Sequence, residues 1–505
     1  MHHLSGLDAA FLYLETPETP MHVASLHVYE LPEGYEGDFV EDVRRHIAGR
    51  LHMAPVFRRV LVNMPFELAN PVWAIENDVD LEYHIRSTVL PKPGSRAQLD
   101  RLIGRLHSSL LDRSRPLWEF YVIEGLASPP GKRHIGFYAK VHHASLDGAG
   151  GIALSNAMLD TGPVPREVKA APRRHAKAAE NYGIAELSAA GVRHSATQLV
   201  KLARTLPTLA RVALQRLRAT PSAGATRTHW FGPRTPLNVS ITNQRSFASV
   251  SVPLAEVRHI AKANECTVND VVLATCAGAL RHYLADMGCV PDAPLLAGVP
   301  VSLREAGNTD MNTQASMVRI SLATTIADPL QRLAAIRESS SAAKALMASM
   351  KSVVPTDFPS LGAPWLISGI AALYGRSRMA NRIPPIANVA ISNVPGPQFP
   401  LYLAGAKMLT YYPVSIASHG IALNITVQSY NGSLDYGLTA CRKAMPDVPE
   451  LAALMRAAHE ELLRLTPVGH ATAAAPPPPL KLVSKKKAAA PARAAGAPRV
   501  RRKAA

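Results

Sequence analysis

A mixed α/β (α+β) chain in two halves of similar size is what the sequence predicts, on three observations. Segments with strand-like alternation stand beside segments whose apolar residues recur at helical spacing. This combination occurs in residues 1–160 and again in 236–466. Between them lies a stretch rich in proline and charge, a boundary signal. With 47% hydrophobic residues over 505 positions, the chain has material for large cores.

Residues 1–165 form the expected first domain. There, RAQLDRLIGRLHSSLLDRS puts Leu99, Leu102, Ile103, Leu106 and Leu110 on one helical face. WEFYVIEGL and HIGFYAKVHH read as strands, joined through the turn residues ASPPGKR. Residues 166–235 form a basic connector. Its segment LVKLARTLPTLARVALQRLR sets Leu and Val against Arg and Lys at helical spacing, broken by Pro207. Residues 236–466 form the second expected domain. TVNDVVLATCAGALRHYLADMG is a helix with Thr267 as its N-cap. LLAGVPVSLR, SMVRISL and IANVAISNV are strands, and ALNITVQSYNGSLDYGLTA is a hairpin turning at Asn431-Gly432. Residues 467–505 are Ala/Pro/Lys/Arg low complexity, expected to be disordered.

The net charge of +17 is localised. From Lys481 onward there are nine basic residues and no acid, and residues 166–230 hold twelve basic against three acidic. The rest carries 34 basic and 35 acidic residues, so the globular parts are near neutral. Such segments fit an anionic membrane or lipid-droplet surface, and no specific nucleic acid is expected. No run of 18 apolar residues occurs, so no transmembrane helix is expected. The N-terminus lacks the basic-then-apolar pattern of a signal peptide. A cytoplasmic protein, peripherally associated with lipid, is the expected setting. Cys266, Cys276, Cys289 and Cys441 have no paired spacing and read as reduced thiols. No metal-ligand or phosphate-loop fingerprint is present, so neither a metal nor a cofactor is expected.

The chemistry concentrates in HIGFYAKVHHASLDGAGG, residues 134–151. In an extended strand, Ile135, Phe137, Ala139, Val141 and His143 share one face, and His142 shares the other with Tyr138 and Lys140. The two rings therefore cannot do the same job. A histidine at a strand end can act as a base near neutral pH. Asp147, just before Gly148, can orient a ring, pair with an arginine or cap the following helix. Spacing alone also allows two histidines merely packed at a turn. A metal site lacks a third ligand of diagnostic spacing. A triad through Ser145 lacks the G-x-S-x-G elbow.

HHASLDG matches the HHxxxDG motif of CoA-dependent acyltransferases and peptide-synthetase condensation domains. The wider chain resembles the bacterial wax ester synthase/diacylglycerol acyltransferase family, from near the N-terminus to about residue 465. LSGLDAAFLYLETPETPMHV, DRSRPLWEFYVIEGL, KVHHASLDGAGG, TVNDVVLATCAGALRHYL, ISNVPGP and HGIALNITVQSYNGSLDYGL carry the match. One departure is DMNTQASM, where Met311 precedes Asn312 and the family often has Gly-Asn.

The resemblance implies two chloramphenicol-acetyltransferase-like domains facing a shared channel, with His143 midway. His143 would be the general base, His142 chiefly structural, Asp147 a shaper of the site through a salt bridge, and Gly148 the sharp turn. Asn269 and Asp270 would either position substrate and donate to the oxyanion or cap their helix. Trp118 fits core packing and Glu119 a basic partner. The implied reaction joins a long-chain acyl group from acyl-CoA, a co-substrate, to diacylglycerol, giving triacylglycerol. A fatty alcohol giving a wax ester is the alternative acceptor. Two other classes stand beside it: a condensation-like enzyme fed by a carrier protein, and a non-catalytic lipid-droplet or polyanion-binding protein.

Overall fold

The computed structural model describes residues 2–65, 69–146, 148–169, 183–193, 196–197, 200, 231–302, 315–350 and 364–467. Asp147, nearly all of the basic helix expected over 199–218, the DMNTQ part of the departing loop and the tail from residue 468 lie outside them.

The first half of the chain contributes strands β1 (His22–Glu30), β2 (Ile85–Val89), β3 (Trp118–Leu126) and β4 (His134–His142). The second half contributes β5 (Arg245–Pro253), β6 (Leu296–Ser302), β7 (Ala315–Ser321) and β8 (Val389–Val394). It continues with β9 (Tyr402–Leu403), β10 (Ala406–Val414), β11 (Leu423–Tyr430) and β12 (Ser433–Cys441). These strands make two six-stranded sheets, ordered β9-β10-β1-β4-β3-β2 and β7-β6-β8-β11-β12-β5.

Chain order and sheet membership differ at one place. β9 and β10 belong to the second half, yet β10 pairs antiparallel with β1 and extends the first sheet. A pairing across some hundreds of residues leaves no local mark in sequence. The strand pattern shows where a strand is, not which edge receives it.

Helices fill both faces of the first sheet. α1 (Gly6–Leu14) precedes it, and α2 (Phe39–Ala48) lies on the face presented by Ile135, Phe137 and Val141. α3 (Arg96–His107) lies on the opposite face, where Leu99 and Ile103 meet Tyr138. The strand alternation read from sequence is therefore present in β4. α3 stops before Leu110. Ser108 is its C-cap, its hydroxyl donates back to the Gly104 carbonyl at 2.7 Å, and Leu110 stands exposed beyond the helix. After β4 comes α4 (Gly148–Met158), packed beside α2 in the same core.

The second sheet buries the larger core under α5 (Leu254–Ala263), α6 (Val268–Asp286), α7 (Pro329–Met350) and α9 (Val448–Leu465), with α8 (Pro364–Arg376) lying outside that core. Thr267 caps α6 as its position in the sequence suggests. The β11–β12 hairpin turns at Asn431 and Gly432, both at positive φ (43° and 86°), as a type I′ turn requires. The four cysteines are free thiols. Among the described residues no helix is long and apolar enough to cross a membrane.

Two glycines let backbones touch where the sheets meet. A Cβ on Gly104 of α3 would sit 2.7 Å from the Arg245 carbonyl oxygen of β5. A Cβ on Gly437 of β12 would collide with the Pro413 carbonyl oxygen of β10. Neither neighbour is a side chain that can swing away. Gly437→Ala is therefore expected to destabilise the protein by about 1–3 kcal/mol through overpacking, read as a lower urea midpoint. Gly288→Ala serves as the comparison: it has nothing within 4 Å and a positive φ of 64°, so it tests backbone strain without a collision.

Candidate active site

β4 ends at His142, and His143 opens a single 3-10 turn, His143–Ser145. The two rings then part company, as strand alternation implies. His142 is fully buried, and its Nδ1 accepts a hydrogen bond from the Ala144 amide at 3.1 Å. An accepting Nδ1 places the ring proton on Nε2, which lies 3.2 Å from the Glu15 carboxylate. The tautomer of His142 is thus set by a backbone amide on one side and a carboxylate on the other.

Glu15 is the C-cap of α1 and holds more than His142. Its Oε2 accepts from the Met21 amide at 2.9 Å, and its Oε1 accepts from Arg113 at 2.9 Å and 3.2 Å. Arg113 also donates to the Leu12 carbonyl at 2.7 Å, satisfying an end group of α1. Burial pushes the Glu15 carboxyl up, but His142, the Met21 amide and Arg113 outweigh it and hold the group below the usual carboxylate range. Met21 passes the constraint on, since its carbonyl accepts from the His143 amide at 2.9 Å.

His143 is placed by stacking. Its ring lies on Phe11 of α1, with centroids 3.9 Å apart and planes 18° from parallel. α1 itself is set by Ser5, whose hydroxyl accepts from the Asp8 amide, and by burial of Leu4, Ala9 and Leu12 against Leu117 and Ala144. Burial is the leading cause that lowers the His143 pKa to about 4, and the His143 backbone works against it. The ring is neutral at pH 7, with a lone pair free to take a proton.

Beneath His142 the sheet carries a buried polar layer. His22, opposite His142 on β1, makes a 2.9 Å hydrogen bond to the His107 carbonyl, and the His107 ring meets the Tyr138 hydroxyl at 2.8 Å. Lys140 pairs with Glu119 at 3.1 Å. Burial pulls the Lys140 ammonium below its ordinary value, against the pull of Glu119. Glu119 thus has the basic partner expected of it, and Trp118 is a fully buried core residue whose indole donates to the Phe57 carbonyl at 3.1 Å.

Two cavities lie near the His143 turn, and His143 is not among the lining residues of either. One, of about 470 Å³, is lined by Leu14, Thr16, Thr19 and Met21 on one side and by Ile370, Ala371, Tyr374, Ser418 and His419 on the other. The other, of about 160 Å³, includes Val141, Leu146, Ser155, Tyr411 and Gln428 in its lining. Met21 and Leu146, each bonded to the His143 backbone, belong to one cavity apiece. Each cavity draws on both halves of the chain.

Gly148 is the first residue of α4, directly after Asp147. Asp270 closes a capping box on α6, accepting from the Thr267 amide at 2.9 Å and hydroxyl at 2.7 Å. Asn269 is half-buried on the same first turn. Among the described residues neither bonds to the His142–Glu15 group, and the contacts of Asp270 are those of a helix cap. Phe11, Glu15, Met21 and Arg113 were not singled out by sequence reasoning. Their stretches, LSGLDAAFLYLETPETPMHV and DRSRPLWEFYVIEGL, carried the family resemblance without roles attached.

Against known proteins, residues 4–272 match the wax ester synthase/diacylglycerol acyltransferase catalytic domain, and 312–463 match the C-terminal domain of the same family. The chain belongs to this family. It is an acyltransferase. A protein of Mycobacterium tuberculosis named a probable diacylglycerol O-acyltransferase is 35% identical over 90% of this chain and 97% of its own length. Another from that organism, provisionally named for the same activity, is 37% identical over 91% of this chain and 99% of its length. The wax ester synthase/diacylglycerol acyltransferase structure from Marinobacter aquaeolei superposes with a TM-score of 0.64 at 31% identity, covering 91% of this chain and 98% of that one. The first condensation domain of the calcium-dependent antibiotic synthetase shares the fold, at TM-score 0.54 and 14% identity, over 92% of this chain and 96% of that one. The two-sheet architecture is the chloramphenicol-acetyltransferase-like fold that the resemblance implied.

The Glu15 carboxylate gives a test that needs no substrate. Its folded pKa is depressed, so its contribution to stability is full above the ordinary carboxylate pKa of about 4.3 and is lost as pH falls through the folded value. Glu15→Gln is expected to cost about 1–3 kcal/mol at pH 7. The gap between the two proteins, measured by urea unfolding, should close below about pH 4.

Proposed function

We propose that the chain transfers a long-chain acyl group from acyl-CoA to the free hydroxyl of diacylglycerol, with His143 as general base. The observation that carries this is a neutral histidine, stacked and nearly enclosed, whose backbone is bonded to Met21 and Leu146, which line two cavities drawn from both halves of the chain. As the acceptor oxygen attacks the thioester carbonyl, His143 takes its proton. As the C–S bond breaks, the protonated ring returns that proton to the departing thiolate. The thioester is already activated, so no acyl-enzyme is needed.

The other residues support that base. His142, with its tautomer fixed by Ala144 and Glu15, holds the end of β4. Asp147 is assigned the family's role of shaping the site through a salt bridge, and Gly148 starts the following helix. Asp270 acts as a helix cap, while Asn269 is free to face substrate. No cofactor enters the scheme. The larger cavity falls in the size range of small-ligand sites and is lined mainly by apolar side chains, which suits an acyl or lipid chain. The acceptor is assigned from the mycobacterial relatives' names. A fatty alcohol, giving a wax ester, is the second reading, supported by the family and by the name of the Marinobacter protein. Both acceptors are insoluble, so the enzyme works at a membrane or lipid-droplet surface as a peripheral protein.

Purified enzyme with labelled palmitoyl-CoA, offered diacylglycerol and hexadecanol in competition, should yield mainly labelled triacylglycerol. A predominant wax ester would reverse the assignment. His143→Ala is expected to lower turnover at least ~10²-fold with the fold intact, and near-normal turnover would remove His143 from the mechanism. With labelled acyl-CoA and no acceptor, denatured protein should show no acyl adduct by mass spectrometry. A stoichiometric adduct on Ser145 or a cysteine would replace direct transfer by a nucleophilic route.

A further inference from the structure

The helix α8 both lines the larger cavity and faces outward. Ile370 and Leu373, one turn apart, are exposed at 59% and 65%, although Ile370 also lines the cavity. Leu14, across the cavity on α1, is exposed as well. Beyond α8 the chain continues outward through Met379, Ile383 and Ile386, all exposed. This stretch is pinned rather than loose. The Ser240 amide donates to the Asn381 side chain at 2.6 Å, and the Gly232 amide donates to the Pro385 carbonyl at 2.7 Å, bringing exposed Phe231 alongside.

Three arginines rise from the same stretch. Arg376, Arg378 and Arg382 are exposed, and among the described residues none has an acidic partner in an ion pair. No Asp or Glu occurs anywhere between residues 358 and 434. Exposed aliphatic side chains and cations with no acidic partner among the described residues, on and just after a helix that lines an apolar cavity, suit the headgroup boundary of an anionic bilayer.

We propose that the face made by α8 and residues 376–386 docks on an anionic lipid surface, so that the larger cavity opens directly onto lipid. This rests on the reading of the acceptor as a lipid alcohol, and it places the contact on the globular unit rather than on the basic connector or tail. The geometry also links surface to chemistry: α8 packs on α1, and α1 carries the Phe11 that stacks on His143. Lipid contact at α8 is therefore one helix away from the base.

The test is flotation of the full chain with vesicles of phosphatidylcholine alone or mixed with phosphatidylglycerol, at low ionic strength. Two variants are compared with the unmodified protein: R376Q/R378Q/R382Q and L373E/I383E. All five positions are exposed, and far-UV circular dichroism with thermal melting verifies that both variants fold. The triple arginine variant should bind the anionic vesicles about 10²-fold more weakly, at roughly one kilocalorie per mole for each arginine. L373E/I383E should weaken binding to both vesicle types. Turnover on a soluble short-chain alcohol should be unchanged in both, while turnover on vesicle-borne diacylglycerol falls. Vesicle binding equal to that of the unmodified chain in both variants would overturn the proposal. If the unmodified enzyme fails to acylate diacylglycerol but the variants still lose vesicle binding, the docking face stands and the acceptor assignment falls.

Discussion

The Glu15 carboxylate is the constraint on which the site depends. One buried anion accepts hydrogen bonds from the amide of Met21 and the guanidinium of Arg113, and lies 3.2 Å from the ring of His142. Hydrogen bonds to a charged group contribute about 1.5–3 kcal/mol each, and losing one partner leaves the others uncompensated. Through these bonds the end of α1, the end of β4 and the segment entering β1 are held in one arrangement. His143 is positioned as a consequence: Met21 grips its backbone and Phe11, from the same helix that ends at Glu15, stacks on its ring.

The same enclosure sets the electrostatics. Lowering a histidine from 6.5 to about 4 amounts to roughly 3 kcal/mol against the protonated ring. A base this weak is a poor proton sink in a ground state. In the proposed mechanism it would hold the proton only while the oxygen attacks and then hand it to sulfur. The buried neutral rings of His22 and His107 below the sheet extend the same regime, since burial is the leading cause that depresses both. Lys140 keeps the layer polar but paired, through Glu119. The layer beneath His142 thus holds a buried ion pair and neutral rings, each ring bonded through at least one nitrogen.

Much of this was legible in the sequence because it is local. The β4 alternation, the Thr267 cap and the Asn431-Gly432 turn each depend on neighbours a few residues away, and each has a residue-level signal. The distinct fates of His142 and His143 followed from strand alternation, although His143 sits on the turn just past the strand rather than in it. What escaped was non-local. Glu15 and Arg113 are separated by 98 residues, and nothing in either stretch announces the other. The capture of β10 by the first sheet joins segments still further apart. Leu110 was assigned to a helical face because the periodicity continues past Ser108. A side-chain hydroxyl returning to the backbone ended the helix first.

Burial keeps His143, the proposed base, neutral, and its ionisation can be read directly. The pH dependence of kcat/KM, which reports the free enzyme's essential groups, would be measured with an acyl-pantetheine thioester, which has no phosphate to titrate, and a soluble alcohol. The account expects a rate level from pH 8 to about pH 6 that falls only as the solution approaches the folded His143 value of about 4. A fall centred near 6.5, absent in His143→Ala, would show a base exposed to solvent and would contradict it.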